Sequence, residues 1–332
     1  MSSNDIQKKE IARRPGSIAS VTVAYNGEDF LSSHLDALLR QSEPLDEIIV
    51  VNNASTDASL RLLRERYPQV TVIDLAGNAG VGGGYAAGLD YALNERHHHW
   101  IWLFDQDSIP RHDGLARLLD GYHSLGDHHS DVAIFAPLCI HSDTQRSYPG
   151  VRWRNGWRKC KTTSNLEFVD AVISSGSLVR GEHIRKVGLP RADFFIDFVD
   201  FEHCLRLRKH GYRIAVVPES ILDHSVGKPR MVRLGSFSYT WSDHEPWREY
   251  YKTRNEVFTI WAYDSRWQAK AATALRLARH AVGILLFGKA KFACLKMMCF
   301  GFFDGRAGKL GVRSFDRTAS PISAPQEQHA GD

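Results

Sequence analysis

Apolar and polar positions alternate in blocks of strand and helix length over the first third of the chain. Ile18 to Tyr25 is apolar, with Val21, Val23 and Tyr25 at period two, which predicts a buried strand. Asn26-Gly27 breaks it. Asp29 stands where a helix cap belongs, ahead of Phe30, Leu31, Leu35, Leu38 and Leu39 on one helical face. Glu47 to Val51 has almost no polar alternation, the pattern of a strand covered on both faces in a parallel sheet. A polar turn, Asn52 to Asp57, leads into a helix carrying Leu60, Leu62 and Leu63, and Val70 to Leu75 reads as the third strand. The glycine-rich stretch Gly77 to Gly84 opens onto a helix from about Tyr85 to Glu95. A fourth strand, Trp100 to Phe104, then ends in Asp105-Gln106-Asp107. Regular strand–helix alternation predicts a doubly wound α/β sheet with ligands at the carboxyl ends of its strands. Each polar turn falls at such an end.

The second half is less regular. A helix is predicted over 115–125, a strand over 132–140, and a basic, Trp-rich exposed excursion over 152–161. Residues 168–179 suit a strand or hairpin, with Ser174-Ser175-Gly176-Ser177 as a small-residue loop. A short helix follows over 183–187, then a helix over 201–210 ended by Gly211, and two short strands on either side of Pro218. Helices are predicted over 247–263 and 266–287. From Gly283 to Gly311, apolar and aromatic residues mix with Lys289, Lys291, Lys296, Arg306 and Lys309, and Asp304 is the only acid. That mixture is the pattern of a membrane-surface element; the competing reading is an amphipathic helix packed on the sheet. Tails at 1–17 and 315–332 are expected to be disordered. The organisation is therefore a nucleotide-binding region over 18–245 and a C-terminal helical region over 246–314.

Composition narrows the class without naming a chemistry. The 332 residues are 43% hydrophobic and 24% charged, with a formal charge of +4. That is an ordinary soluble balance, and no nucleic-acid partner is expected. The five cysteines include no CxxC pair, which excludes a zinc ribbon or disulfide framework and suits a reducing, cytoplasmic compartment. The N-terminal stretch lacks the apolar core of a signal peptide. No apolar run reaches the ~18 residues that span a bilayer.

Candidate chemistry starts at Asp105 and Asp107. Two acids one residue apart at a strand end repel unless a cation sits between them, and a divalent cation carrying diphosphate oxygens suits that position. A dinucleotide-dependent oxidoreductase is a weaker match, because the third glycine of its fingerprint is missing: Tyr85 and Ala87 occupy the candidate positions. The run His97-His98-His99 lacks chelating spacing and reads as solvated.

The ordered motifs together resemble family 2 glycosyltransferases of the GT-A fold, in particular bacterial rhamnosyltransferases. The carrying residues are Val23-Ala24-Tyr25-Asn26, Ile49 to Asp57, Asn78-Ala79-Gly80, Asp105-Gln106-Asp107-Ser108, Ser175-Gly176-Ser177, Asp197 to Arg206, His224 and Tyr250 to Asn255. The resemblance spans roughly 18–260. It implies transfer of L-rhamnose from dTDP-L-rhamnose to a hydroxyl of a lipid-linked cell-surface glycan, at the inner face of the cell membrane, with inversion and with Mg2+ or Mn2+. It implies a nucleotide site at Tyr25, Asn26, Asn52, Asn78, Gly80 and Asp105. Asn52 stands where the family more often has Asp. Metal ligation falls to Asp107 with Asp105 and His224. Asp200 is the implied base, with Asp197 as the alternative. Glu202 orients an acceptor or pairs with Arg206. Arg254 either touches donor phosphate or holds the C-terminal helices on the catalytic region. Asp57 reads as a helix cap. A galactofuranosyl- or other hexosyltransferase using a uridine nucleotide, and a non-catalytic nucleotide-sugar-binding scaffold, are the alternatives.

Overall fold

The computed structural model describes residues 15–141, 145–154, 156–161, 164–224, 230–234, 237–241, 243–313 and 315. The first four strands, β1 (Ile18–Ala24), β2 (Glu47–Asn52), β3 (Thr71–Asp74) and β4 (Trp100–Asp105), are parallel neighbours in the order β3-β2-β1-β4. They alternate with helices α1 (Glu28–Leu39), α2 (Ser59–Arg66) and α3 (Gly80–Asp90), the last prolonged by a π-helical turn over Tyr91–Glu95. Period-two alternation sends Ile18, Val50, Trp102 and Phe104 to one face of the sheet, where Leu31 and Leu35 of α1 and Leu63 of α2 cover them. Val21, Val23, Val51, Ile101 and Leu103 go to the other face, under Tyr85 and Leu89 of α3. Both faces are dry, which is why these strands read as apolar runs rather than alternating ones.

The chain then forms β5 (Ser108–Pro110), α4 (Gly114–Ser124), β6 (Val132–His141) and β7 (Ser147–Tyr148). Next come β8 (Val151–Trp153), β9 (Trp157–Lys159), β10 (Glu167–Val169), β11 (Leu178–Arg180), α5 (Gly181–Val187), α6 (Val199–Lys209) and β12 (Arg213–His224). The sheet continues as β4-β11-β6-β12-β10, with β11 antiparallel to both of its neighbours. The α/β class expected from the alternation is present.

Several local expectations change. The two short strands around Pro218 are one strand, β12, with a register shift between Val217 and Ile221 that takes up the proline. Residues 168–179 supply two separate strands, β10 and β11, rather than a hairpin. The Trp-rich excursion is a β8–β9 hairpin folded back on the body: Trp153 Nε1 donates to Asp264 Oδ2, and the Trp157 ring meets Phe201 edge-on at 4.8 Å. His98 is not solvated; it is buried and 2.8 Å from Glu47 Oε2. The first helix begins at Glu28 rather than after an Asp29 cap, because Asp57 reaches across: its two oxygens accept the backbone N–H of Ser59 and of Glu28. Asp57 therefore serves the ends of α2 and α1 together. Gly80 to Gly84 are the first turn and more of α3, so the helix starts inside the glycine stretch. Gly84 and Gly88 of α3 lie against Val23 and Val21, where an added Cβ would come within 2.6 and 2.4 Å.

A further hairpin, β13 (Arg230–Leu234) and β14 (Phe237–Trp241), precedes three helices: α7 (Pro246–Tyr263), α8 (Trp267–Phe287) and α9 (Lys291–Arg306). Helix α9 packs backbone-close on α7. A Cβ at Gly301 would lie 2.5 Å from the Tyr250 carbonyl, and one at Gly305 would lie 2.5 Å from that of Arg254. The expected tails fall outside the described residues except for 15–17 and 315; Ser17 is bonded to His99 and the Phe315 ring packs on Tyr250. Among the described residues no helix is long and apolar enough to cross a membrane.

Candidate active site

The carboxyl end of β4 delivers Asp105, and Asp107 sits in the turn before β5. β12 pairs antiparallel with β5, so its last residue, His224, falls opposite Ser108. Asp105, Asp107 and His224 each offer one ligand atom, and these atoms lie within 4.8 Å of one another. His224 Nδ1 is 2.7 Å from Ser108 Oγ and 3.6 Å from Asp107 Oδ1. Ser175 Oγ donates to Ser108 Oγ and accepts the Asp105 N–H. Buried His34 bonds the Ser108 carbonyl at 2.6 Å and Thr22 Oγ1 at 2.8 Å. Burial pushes its ring down to about 4, so it stays neutral. The Tyr85 hydroxyl donates to Asp105 Oδ1 at 3.0 Å, and burial together with the Asp105 charge holds that phenol protonated. Burial raises the Asp107 carboxyl above its ordinary value; His224 opposes this and the Asp105 charge adds to it. Among the described residues His224 is the only ion-pair partner of the two acids. Two carboxylates and an imidazole, crowded and short of positive charge, are a donor set that fits a divalent cation.

Asp200 occupies the second position of α6 and faces this cluster from the other side. The loop that places it is unusual: Phe195, Asp197 and Phe198 all have positive φ (65°, 60° and 63°), a conformation that non-glycine residues hold only when their surroundings impose it. The surroundings are side chains of α7. Asn255 Nδ2 lies within bonding distance of the carbonyls of Phe194, Ile196 and Asp197, and the Arg254 guanidinium donates to those of Asp193, Phe194 and Gly311. Arg254 is fully buried, with its donors committed to these carbonyls and, through Nε, to Asn255 Oδ1. Of the two roles expected for it, these bonds supply the second: Arg254 holds the C-terminal helices on the loop that carries Asp200. Asp197, the alternative base, is differently engaged. Both of its oxygens accept from Arg248, at 3.0 Å each, and that paired guanidinium lowers the basicity of the carboxylate toward a substrate proton. Asp200 has only the Phe201 N–H on one oxygen. Burial, and then the charges of Asp105 and Asp197 against that N–H, push its carboxyl up to about 7. Glu202 pairs with Arg206 at 3.0 Å and also accepts the Tyr263 hydroxyl.

The remaining predicted residues line the ends of β1, β2 and β3. Gln106 reaches back to bond both the N–H and the carbonyl of Tyr25, locking the β1 end to the acidic turn. Asn26, at φ 49°, accepts the Thr56 N–H and ties the β1 turn to the β2 turn. Asn52 is buried, and its amide donates to Asp74 Oδ1 at 2.7 Å. Asn78 Oδ1 accepts the Gly80 N–H, and the buried Asn53 side chain bridges the Ala79 N–H and the Gly80 carbonyl. Gly80 opens α3 at φ 71°, where a Cβ would strike the Phe195 carbonyl at 2.2 Å. Its smallness therefore serves the contact with the Asp200 loop. Sequence reasoning assigned no role to Tyr85, His34, Asn53 or Gln106. Ser175 was part of a motif, and its partner Ser108 follows the acidic pair directly, yet only strand pairing revealed that they meet.

The glycosyl transferase family 2 model matches residues 20–182. Over 247 residues the chain is 30% identical to the dTDP-rhamnosyl transferase RfbF of Shigella flexneri, covering 73% of this chain and 79% of that one. It is 26% identical to the galactofuranosyltransferase GlfT1 of Mycolicibacterium smegmatis, over 73% of this chain and 82% of the other. The fold is similar to that of residues 1–349 of S. aureus TarS in complex with UDP-GlcNAc, with a TM-score of 0.54 at 17% identity over 87% of this chain and 81% of that one. It is also similar to that of GalNAc-T7 with UDP, GalNAc and Mn2+, with a TM-score of 0.57 at 16% identity over 88% of this chain and 55% of that one. The architecture is that of the GT-A glycosyltransferases, and the chain belongs to glycosyl transferase family 2.

Proposed function

We propose that the chain transfers L-rhamnose from dTDP-L-rhamnose to a hydroxyl of a cell-surface glycan acceptor, inverting the anomeric centre. The observation that carries the reading is Asp200: a partly buried carboxylate with a free oxygen, opposite the Asp105–Asp107–His224 group. Asp105, Asp107 and His224 would hold Mg2+ or Mn2+, which neutralises charge on the departing nucleoside diphosphate. The Asp200 carboxylate takes the acceptor hydroxyl's proton as that oxygen bonds the anomeric carbon. The anomeric C–O bond to phosphate breaks, and its electron pair leaves with the diphosphate. One base on the face opposite the leaving group makes a single displacement, hence inversion. Tyr85 and Ser175 keep Asp105 in place, and Tyr25, Asn26, Asn52 and Asn78 frame the base and ribose at the ends of β1–β3. The similarity to a dTDP-rhamnosyl transferase supports the rhamnosyl donor.

A galactofuranosyl or other uridine-linked donor is the second reading, supported by the similarity to a galactofuranosyltransferase. The outward faces of α8 and α9 suit a lipid-linked acceptor at an anionic membrane surface, with the protein docked peripherally on the cytoplasmic side. Calorimetric titration with dTDP and UDP, each with and without Mn2+, tests the reading. Metal-dependent preference for dTDP is the expected result. Preference for UDP moves the donor to a uridine sugar and keeps the roles of Asp107 and Asp200, whereas binding of neither nucleotide in the presence of metal leaves only a non-catalytic scaffold.

A further inference from the structure

A cavity beside the acidic cluster has no part in the steps above. Its volume is about 170 Å3. Ala136 and Pro137 of β6 form one side, and Val172, Ile173 and Phe201 form the other. Its polar side-chain groups are the Ser175 hydroxyl, the Cys139 thiol and a lip made by Tyr148 and Lys159, whose ammonium stands 4.3 Å from the Tyr148 ring centroid. The cavity meets the reaction centre at two points. Ser175 is the hydroxyl that bonds Ser108 and the Asp105 N–H, and Phe201 directly follows Asp200. Its position in the sheet gives it a side. The turns that frame a nucleotide end β1–β3, the acidic cluster ends β4, and the cavity lies beyond β11 on β6 and β7. The carboxylates thus stand between nucleotide and cavity.

We infer that this cavity is the acceptor subsite, and that it takes one pyranose ring presenting a methyl edge: the C6 methyl of a 6-deoxyhexose or the methyl of an acetamido group. The inference rests on the transferase reading for the identity of the neighbouring site. Size sets the number of rings, since an apolar cavity of about 150 Å3 holds one six-membered ring. The walls set the chemistry. A hydroxyl turned toward the Ala136, Val172 and Ile173 side chains finds no side-chain partner, and the Ser175 hydroxyl has already given its proton to Ser108 Oγ and accepted the Asp105 N–H, so a hydroxymethyl group loses water there with little replacement. A methyl group loses nothing, and the Phe201 ring gives the C–H face of a sugar an apolar surface.

The test is saturation-transfer NMR on the full chain, with and without dTDP and Mn2+. The probes are methyl α-L-rhamnopyranoside, methyl α-L-mannopyranoside, which differs from it only by the 6-hydroxyl, and methyl N-acetyl-β-D-glucosaminide. The expected result is saturation concentrated on the C6 methyl or acetamido methyl protons, with the mannoside bound about tenfold more weakly than the rhamnoside. Whichever methyl-bearing probe binds more tightly identifies the source of the edge. Ala136→Leu fills the cavity and should abolish the methyl signal. Tyr148→Ala, on the edge strand β7, removes one side of the lip and should weaken it severalfold even if the first variant does not fold. Equal binding of rhamnoside and mannoside, or an unchanged methyl signal in both variants, overturns the inference. Nucleotide titration of the same samples separates the two readings, because loss of dTDP and UDP binding by the wild type counts against the transferase reading and leaves the methyl preference standing or falling by itself.

Discussion

At the scale of single residues, the proposed proton transfer rests on the contrast between two aspartates three positions apart. Asp197 is held on both oxygens by Arg248, while Asp200 keeps one oxygen free and is pushed up to about 7 by burial. Asp200→Asn should keep nucleotide binding and lower turnover by about 10²–10⁴-fold, read by calorimetry and by release of dTDP from donor plus acceptor; turnover near wild type would remove Asp200 from the mechanism. A base works only when ionised, so activity should rise with pH on a limb at or below about 7, and a cation beside Asp105 and Asp107 draws that limb downward. The limb should vanish in the Asn variant. The sign for stability is opposite to that of an ordinary ion-paired aspartate. The folded-state pKa lies above the unfolded one, so the native state binds the extra proton, and its stability falls as pH rises from about 4 toward 7. Asp200→Asn should therefore raise the melting temperature more at pH 8 than at pH 4.

Elements rather than residues decide whether Asp200 is aimed at all. The positive-φ run Phe195, Asp197 and Phe198 is held by Arg254 and Asn255 of α7, and α7 is held by α9 through Gly301 and Gly305. Arg254→Met leaves the Asp193, Phe194 and Gly311 carbonyls without that donor and should cost about 3 kcal/mol or more in urea unfolding. Nucleotide affinity of the folded fraction should stay unchanged; a loss of affinity at full stability would restore the phosphate-contact role. Gly301→Ala places a methyl group on the Tyr250 carbonyl and should cost about 1–3 kcal/mol, with a lower midpoint and an unchanged m-value. A glycine chosen merely for flexibility would show no such loss.

On the scale of the molecule, the C-terminal helices have a packed inner side and an outer face that mixes apolar and basic residues. Leu277, Ile284, Cys294 and Met298 join Trp241 and Val257 in a core of their own. Removing residues 266–332 would therefore unfold what α7 supports, and separating docking from folding requires point changes on the outer face. Trp267, Leu275, Val282 and Leu286 are exposed along α8, and Phe292 is 85% exposed at the start of α9. No acid occurs from Trp267 to Phe303, while Lys289, Lys291 and Lys296 stand among these residues. Such a face suits anionic lipid. Leu286→Glu with Phe292→Glu should lower sedimentation with phosphatidylserine vesicles at least tenfold and leave thermal stability and dTDP binding unchanged; wild-type indifference to those vesicles would end the peripheral-membrane reading.

The local signals in the sequence were sufficient wherever one element settles the outcome. The dry strands of the nucleotide half, the α/β alternation, the ends of most helices and the acidic pair at the β4 terminus all follow from periodicity and breakers within about 20 residues of chain, the range over which a strand or helix writes its own pattern. Motif order also pointed to Asp200 and His224, and the fold sets His224 beside Asp105 and Asp107. What remained hidden depended on pairs far apart in sequence. His224 reaches Asp107 because β12 pairs with β5 across more than a hundred residues. Asp57 caps α1 from the next turn, His98 finds Glu47, and Arg254 turns inward to carbonyls of the 193–194 backbone. The glycines of α3 read by composition as part of a dinucleotide fingerprint, yet Val21, Val23 and the Phe195 carbonyl stand against them and leave no room for a Cβ. Composition records which side chains are available; only the folded chain decides which of them meet, because the burial and the hydrogen bonds that set their chemistry come from neighbours the local sequence does not contain.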